Sequence, residues 1–436
     1  MHSYAETSQY SDTPIWRLVV SWLLIIPLVY VAGNGSFWFF GGEANNQLAG
    51  YYGALVSDPR RTLENAATSV LVFGLLSILL FPRIKSVFSM ARRHKVFVIL
   101  AGLTAISALW SQFPIVSLMW APIAAFNVLF AFYLYRRFSP EQQMQLLLGL
   151  GWLCLFLNLT LSIFFPQYGI DYEVAKPAWR GMCSTKNLCS MVTSFLLPAA
   201  FYLPARSVLI KISRVIYVAL SLLLVFMTHS ATGMIGLAFL FVYLIAMRMI
   251  KRMNYRDRSI ALVAMATTAL VLVVTILTAS KQILLLLNRD PTLTGRTEIW
   301  ASIMPAILQH PLLGYGYQAF WRGYEGASAN IALSNGWAVS SAHNSFLQVA
   351  LDLGLVGVGL VVWALVGALR NSFLCLRTLS SPYLFWCTGI VLITIVTAGD
   401  EVALLVPNSP VWLLFMLACI GLSEAASRIR LESSNG

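Results

Sequence analysis

Apolar stretches long enough to cross a bilayer alternate along this chain with short polar connections, most of them basic. A membrane helix needs about 20 predominantly apolar residues. Runs approaching or exceeding that length lie near 15–33, 66–82, 96–113, 115–135, 144–166, 187–204, 213–229, 231–250, 259–279, 345–369, 382–399 and 402–422. Gly399-Asp400-Glu401 separates the last two, and the Pro407/Pro410 pair is expected to break the second of them. The stretch before the first span is polar and lacks the basic start and small-residue cleavage site of a signal peptide, so that span is expected to be retained. The pattern predicts an all-α polytopic membrane protein with about 12 transmembrane helices and a large helical loop between spans 9 and 10. It divides the chain into residues 1–279 (nine spans), 280–342 (a cap loop) and 343–436 (three spans and a tail).

Composition agrees with that pattern. Apolar residues make up 58% of the 436 and charged residues 11%, against roughly 45–50% and 25% in soluble domains. Too few charges exist to wet a globule of this size. The formal net charge of +12 is explained by position. Twelve spans put both termini on one side, and with the loops near 83–95, 136–143, 205–214, 248–258 and 370–381 that side holds 20 of the 29 Lys/Arg but 6 of the 17 Asp/Glu. Such an excess marks the cytoplasmic face, so the charge calls for no nucleic-acid partner. Cys154, Cys375, Cys387 and Cys419 lie in apolar runs as small core residues. Cys183 and Cys189 are near each other in sequence, but no spacing suggests a metal site.

The remaining chemistry lies on the opposite, outer side. The loop near 280–343 is far longer than the usual ~4–6 residues and is commonly of functional kind. It opens TLTGRTEIWASIMPAILQ, a helix start that puts Arg296 and Trp300 on one face with Glu298 beside them. An arginine at a helix N-terminus suits a phosphate or pyrophosphate; the alternative is a surface ion pair with Glu298 or Asp290. Gly314 and Gly316 have neither the preceding strand nor the third glycine of a nucleotide loop. They read as a tight turn displaying Tyr315, Tyr317, Phe320 and Trp321, rings that suit sugar faces, a lipid boundary or packing of the cap. In AVSSAHNSFLQ, Ser340 or Ser341 is expected to cap the tenth span, with His343 in its first turn. The positive end of the helix dipole there favours a neutral imidazole, the state a general base for a sugar hydroxyl needs; a structural histidine is the alternative. His310, before Pro311, reads as structural. Asp352 is too far along the helix to touch His343. In WRGMCSTKN, Arg180, Lys186 and Asn187 gather before the sixth span, as phosphate ligands or interfacial anchors. Asp171 and Glu173 read as a solvated acidic pair. Asp400 and Glu401, costly at a span end unless wet or paired, are expected to bind an outer arginine or sugar hydroxyls.

Three of these stretches, GRTEIW (295–300), PLLGYGYQAFW (311–321) and AHNSFLQVALDLGLVG (342–357), resemble the O-antigen ligase/Wzy-type polymerase superfamily. The aromatic GYGY form and WRG…KN (179–187) look most like its exopolysaccharide polymerase branch, and the likeness in span layout runs roughly over residues 100–425. The resemblance implies an all-helical glycosyltransferase of the bacterial inner membrane, with both termini cytoplasmic and the site periplasmic. Its donor would be an oligosaccharide on undecaprenyl pyrophosphate, and no cofactor or metal is implied. His343 would be the base in an inverting transfer, Arg296 would face the pyrophosphate, and Arg180 and Lys186 would match the basic pair. Glu298, Trp300, Tyr315, Tyr317, Trp321, Asn187, Asn344, His229, Ser230, Asp400 and Glu401 are the expected substrate contacts. Two departures stand out. Ala231, in HSATG, occupies a place the family fills with a basic residue, so a second cation must come from Arg180, Lys186 or His229; and Thr185 stands where the polymerase branch has histidine. Polymerisation of repeat units leads, and ligation to a lipid A core, a lipid-linked sugar flippase and a chain-length regulator or scaffold remain alternatives. A chain-length regulator and export proteins are candidate partners beside the bilayer.

Overall fold

The computed structural model describes residues 81–434, with a few residues between 72 and 78, and with breaks at 173–175, 205–206, 255, 265–295, 336 and 379–380. The expected spans 15–33, most of 66–82 and most of 259–279 therefore lie outside the described residues. The rest is almost wholly helical, an all-α multi-pass membrane protein. Ile84–Arg93 (α1), Lys95–Ile106 (α2), Pro114–Arg137 (α3) and Pro140–Phe164 (α4) come first. A two-stranded antiparallel ribbon follows, Ile170–Asp171 (β1) with Ala178–Trp179 (β2). Then come Lys186–Leu196 (α5), Val208–Met227 (α6) and Ala231–Ile250 (α7), the cap helices Arg296–Gln309 (α8) and Ala329–Asn335 (α9), and finally Ser345–Thr378 (α10), Pro382–Ala398 (α11) and Pro410–Ser434 (α12). Among the described residues six helices are long and apolar enough to span a membrane: α3, α4, α6, α7, α10 and α12.

Local sequence sets most boundaries. Ser139 and Gln142 form a capping box ahead of α4, with Pro140 at the first helical position, where its missing N–H costs nothing. Thr185 caps α5 and Ser230 caps α7, each through its side-chain oxygen. α12 packs on α3, α10 and α11 at the centre, and α5 on α7. α6 keeps many apolar side chains exposed, among them Leu209, Val215 and Phe226, as a lipid-facing helix should.

Three of the differences from expectation have a local cause. The run 187–204 is no single helix: α5 ends at Leu196, and the turn Ala199–Tyr202 resumes beyond Pro198. The last span starts at Pro410 rather than 402, because residues 402–409 hold Pro407 and left-handed Leu405 and Asn408. α10 is broken at Gly354 (φ 63°, ψ −163°). The turn after α8 fills that break: Tyr315 and Gly316 N–H donate to the Leu351 and Asp352 carbonyls, and Leu355 and Val356 N–H donate to the Pro311 and Leu312 carbonyls. A Cβ on Gly354 would lie 2.2 Å from the Leu312 backbone, so the close approach requires glycine. The first part of α10 thereby docks against the cap, whose own core gathers Ile299, Ile303 and Ile307 of α8 with Phe320, Trp321 and Leu351.

The two ends of the molecule differ in chemistry. At one, Arg93 and His94 meet Glu424, and Arg430 binds Asn371. At the other, the cap rests on the α2–α3 turn, where Gln112 Nε2 donates to the Ala319 carbonyl and Trp110 Nε1 to that of Leu313.

Candidate functional site

Five segments bring their ends together at the cap side. α5, α7, α8 and α10 contribute N-termini, and the stretch after α11 contributes Gly399, Asp400 and Glu401. The focus is the Glu401 carboxylate, 11% exposed. Its Oε1 accepts from Arg296 Nη2 at 2.7 Å and from Asn187 Nδ2 at 2.6 Å. Its Oε2 lies 3.3 Å from His343 Nδ1. Arg296 Nη1 donates to Asp400, which also accepts the Thr232 hydroxyl. Ser230 donates to Asn187 Oδ1 at 2.9 Å while capping α7. One guanidinium thus spans two adjacent carboxylates, the bidentate use for which arginine is suited.

His343 does not sit in the first turn of α10. It precedes the helix with φ 45°, and Asn344, rather than Ser340 or Ser341, caps the helix, its Oδ1 accepting from Phe346 and Leu347 N–H. Asn344 Nδ2 donates to the Gly399 carbonyl at 3.0 Å. The buried Ser345 hydroxyl donates to the Glu401 carbonyl and accepts from Ala403 N–H, both at 2.8 Å. The segments that carry the base candidate and its carboxylate are therefore also stitched together, through the Asn344 and Ser345 side chains and the backbone of residues 399–403. With the Glu401 contact made by Nδ1–H, the neutral ring presents the lone pair of Nε2, which has no hydrogen-bond partner among the described residues. The imidazole is 29% exposed, so the ring is reachable.

The other expected residues divide. Lys186 opens α5 next to Asn187, half-buried. Trp300, one turn past Arg296, donates Nε1 to the Ala342 carbonyl at 2.8 Å. His229 is exposed just before Ser230, left-handed at φ 50°; Ala231 beside it is exposed too. Glu298 is exposed on α8, and Arg296 pairs with Asp400 and Glu401 instead of with it. Asp290 lies outside the described residues. Arg180 is buried, and its Nε donates to the Tyr168 carbonyl at 3.1 Å and its N–H to that of Gly169. Tyr315, Tyr317 and Trp321 are buried with their polar atoms engaged inside the protein, on the Ala306 carbonyl, the Leu405 carbonyl and Gln348 respectively. Burial raises the Tyr315 phenol above its usual value. Tyr315 and Trp321 pack in the core of the cap, and Tyr317 ties it to the main helical core. Asp171 is buried in β1, not solvated, and Glu173 is outside the described residues. No group of His, Cys, Asp and Glu suited to a metal occurs among the described residues.

Sequence reasoning missed Thr232, Ser345, Gln348 and the break at Gly354. Only the Gly-rich run around 354 could have signalled any of them.

Residues 216–363 match the model of a family described as O-antigen ligase. The exopolysaccharide production protein ExoQ of Rhizobium meliloti (strain 1021) is 29% identical over 191 residues, 41% of this chain and 43% of that protein. An O-antigen ligase of Pseudomonas aeruginosa is 37% identical over 78 residues, 18% of this chain and 17% of that protein. Each alignment thus spans less than half the length of the relative. The similarity is to the superfamily and the exopolysaccharide branch that the motifs indicated.

Proposed function

From this similarity to the O-antigen ligase superfamily and its exopolysaccharide branch, we propose that the chain is a glycosyltransferase that polymerises undecaprenyl-pyrophosphate-linked oligosaccharides at the periplasmic face of a bacterial inner membrane. The observation that carries the proposal is the Glu401 carboxylate joining His343, Arg296 and Asn187 at one point. Nε2 of His343 takes the proton of the acceptor hydroxyl. The acceptor oxygen forms a bond to the anomeric carbon as the bond from that carbon to the pyrophosphate oxygen breaks, and undecaprenyl pyrophosphate leaves on the opposite face, inverting the centre. Glu401 holds the ring in its Nδ1–H tautomer and stabilises the imidazolium that forms, as an aspartate does for histidine in serine hydrolases.

Negative charge grows on the departing pyrophosphate, and fixed positive groups in a water-poor site stabilise it strongly. Arg296 satisfies two carboxylates with two of its N–H donors and keeps others for a phosphate oxygen. Lys186 makes no ion pair among the described residues, so its charge is available. The N-termini of α5, α7 and α8 add their dipoles, which answers the absence of a basic side chain at Ala231. The charged groups cluster at helix ends rather than mid-span, which favours an enzyme over a carrier.

The test uses the full chain in proteoliposomes with lipid-linked oligosaccharide extracted from cells deleted for it. A ladder of lengthened products supports polymerisation. Transfer solely to an added lipid A core identifies a ligase, and neither product refutes the glycosyltransferase reading.

A further inference from the structure

The charge cluster accounts for what His343 touches but not for its backbone. A non-glycine residue at φ 45° is strained, and strain of this kind persists only where the surroundings over-determine it. The neighbour Ala342 is gripped at both polar groups. Its carbonyl accepts from Trp300, and its N–H donates to Gln348 Oε1 at 3.2 Å. Gln348 is buried and fully used: Oε1 also accepts from Trp321 Nε1 at 2.9 Å, and Nε2 donates toward both oxygens of Asp352 at 3.3 Å. Asp352, itself buried, accepts from Gln318 Nε2 at 3.4 Å. Two amide NH2 groups directed at one carboxyl make it the acceptor. That decides which end of the Gln348 amide faces inward, and turns its carbonyl toward Ala342 and Trp321. The helix needs none of this for its own sake, since Asn344 already caps it. What the arrangement fixes is the residue immediately before His343.

We propose that Gln348, oriented by Asp352, is a positioning residue for the reaction, holding the left-handed turn that aims His343 at Glu401 and at the acceptor hydroxyl. Asp352 is nine positions from His343 and acts on it without contact, through one amide and one backbone N–H. The inference rests on the reading of His343 as the base.

Both are tested in one assay, with the full chain in proteoliposomes and lipid-linked oligosaccharide from deletion cells, rates being normalised to folded protein. Gln348→Met keeps the length of the side chain and removes both polar ends. It is expected to lower kcat about 30- to 100-fold, the scale of a misplacement near 1 Å, with the KM for the lipid-linked donor nearly unchanged. Asp352→Asn keeps an acceptor for Nε2 and should retain most of the wild-type kcat; Asp352→Leu should fall to the level of Gln348→Met. A wild-type kcat in Gln348→Met, or a raised KM with kcat intact, overturns the proposal. Should Gln348→Met fail to fold, equal kcat in the two Asp352 variants overturns it. His343→Ala reports on the underlying reading separately: full activity there removes the base itself, whatever Gln348 does.

Discussion

At the scale of single residues the account turns on three side chains around Glu401. Glu401→Gln keeps the size of the group but removes the charge that supports the imidazolium, and it turns one acceptor into an NH2. Its kcat is expected to fall by roughly 10²-fold or more, measured as initial polymerisation rate per folded molecule; an unchanged rate would show that His343 needs no carboxylate. Arg296→Lys retains a positive charge but cannot span Asp400 and Glu401 together. Loss of most activity in the lysine variant, nearly as complete as in Arg296→Ala, is the expected outcome, whereas rescue by lysine would reduce Arg296 to a point charge. Much of this was legible in sequence. His343 and Arg296 came from motifs, and the two adjacent carboxylates were conspicuous because an unpaired charge at a span end is costly. What sequence withheld was the pairing. Asn187 and Glu401 are 214 positions apart and Arg296 and Glu401 105, and no local periodicity encodes such a meeting. The aromatic turn was legible as a turn but not as a core: Tyr315, Tyr317 and Trp321 look the same in sequence whether they face sugar or the protein interior.

At the scale of elements, helix ends matter more than helix bodies. The capping box at Ser139 is one such end, and Ser139→Ala should cost about 1 kcal/mol, seen as a modest fall in thermal midpoint with activity intact. The break in α10 was masked because LDLGLVGVGL is as apolar as any continuous span; its glycines are the signal in the sequence, and the docking of residues 311–316 shows that Gly354 is the one used. Gly354→Ala sets a Cβ against the Leu312 backbone at a φ that side chains avoid. It is expected to separate the cap from α10 and to lower both thermal stability and yield of monodisperse protein; a variant of normal stability would show that the break is incidental. Ser345→Ala tests the stitching. It leaves the buried N–H of Ala403 without its acceptor, a loss of about 1–3 kcal/mol in stability.

At the scale of the whole molecule, the chain separates a basic end, where Arg93 and Arg430 find partners, from a cap end that holds the cluster. That segregation is what a charge-directed insertion produces. All six cysteines are buried, so the wild-type protein in intact cells should resist a membrane-impermeant maleimide. Cysteine introduced at exposed Glu325 in the cap should react from outside, and at exposed Ser433 only after lysis; the reverse pattern would invert the orientation. The bounds of the spans were only partly legible, since prolines at 198 and 410 shift where apolar runs become helices. The central claim remains that His343, held by Glu401, removes the acceptor proton. Its most direct test is the single-turnover rate of His343→Ala with wild-type lipid-linked substrate in proteoliposomes, at equal amounts of folded protein. A fall of about 10²- to 10⁴-fold with donor binding retained is the expected result, and a rate equal to wild type would contradict the account.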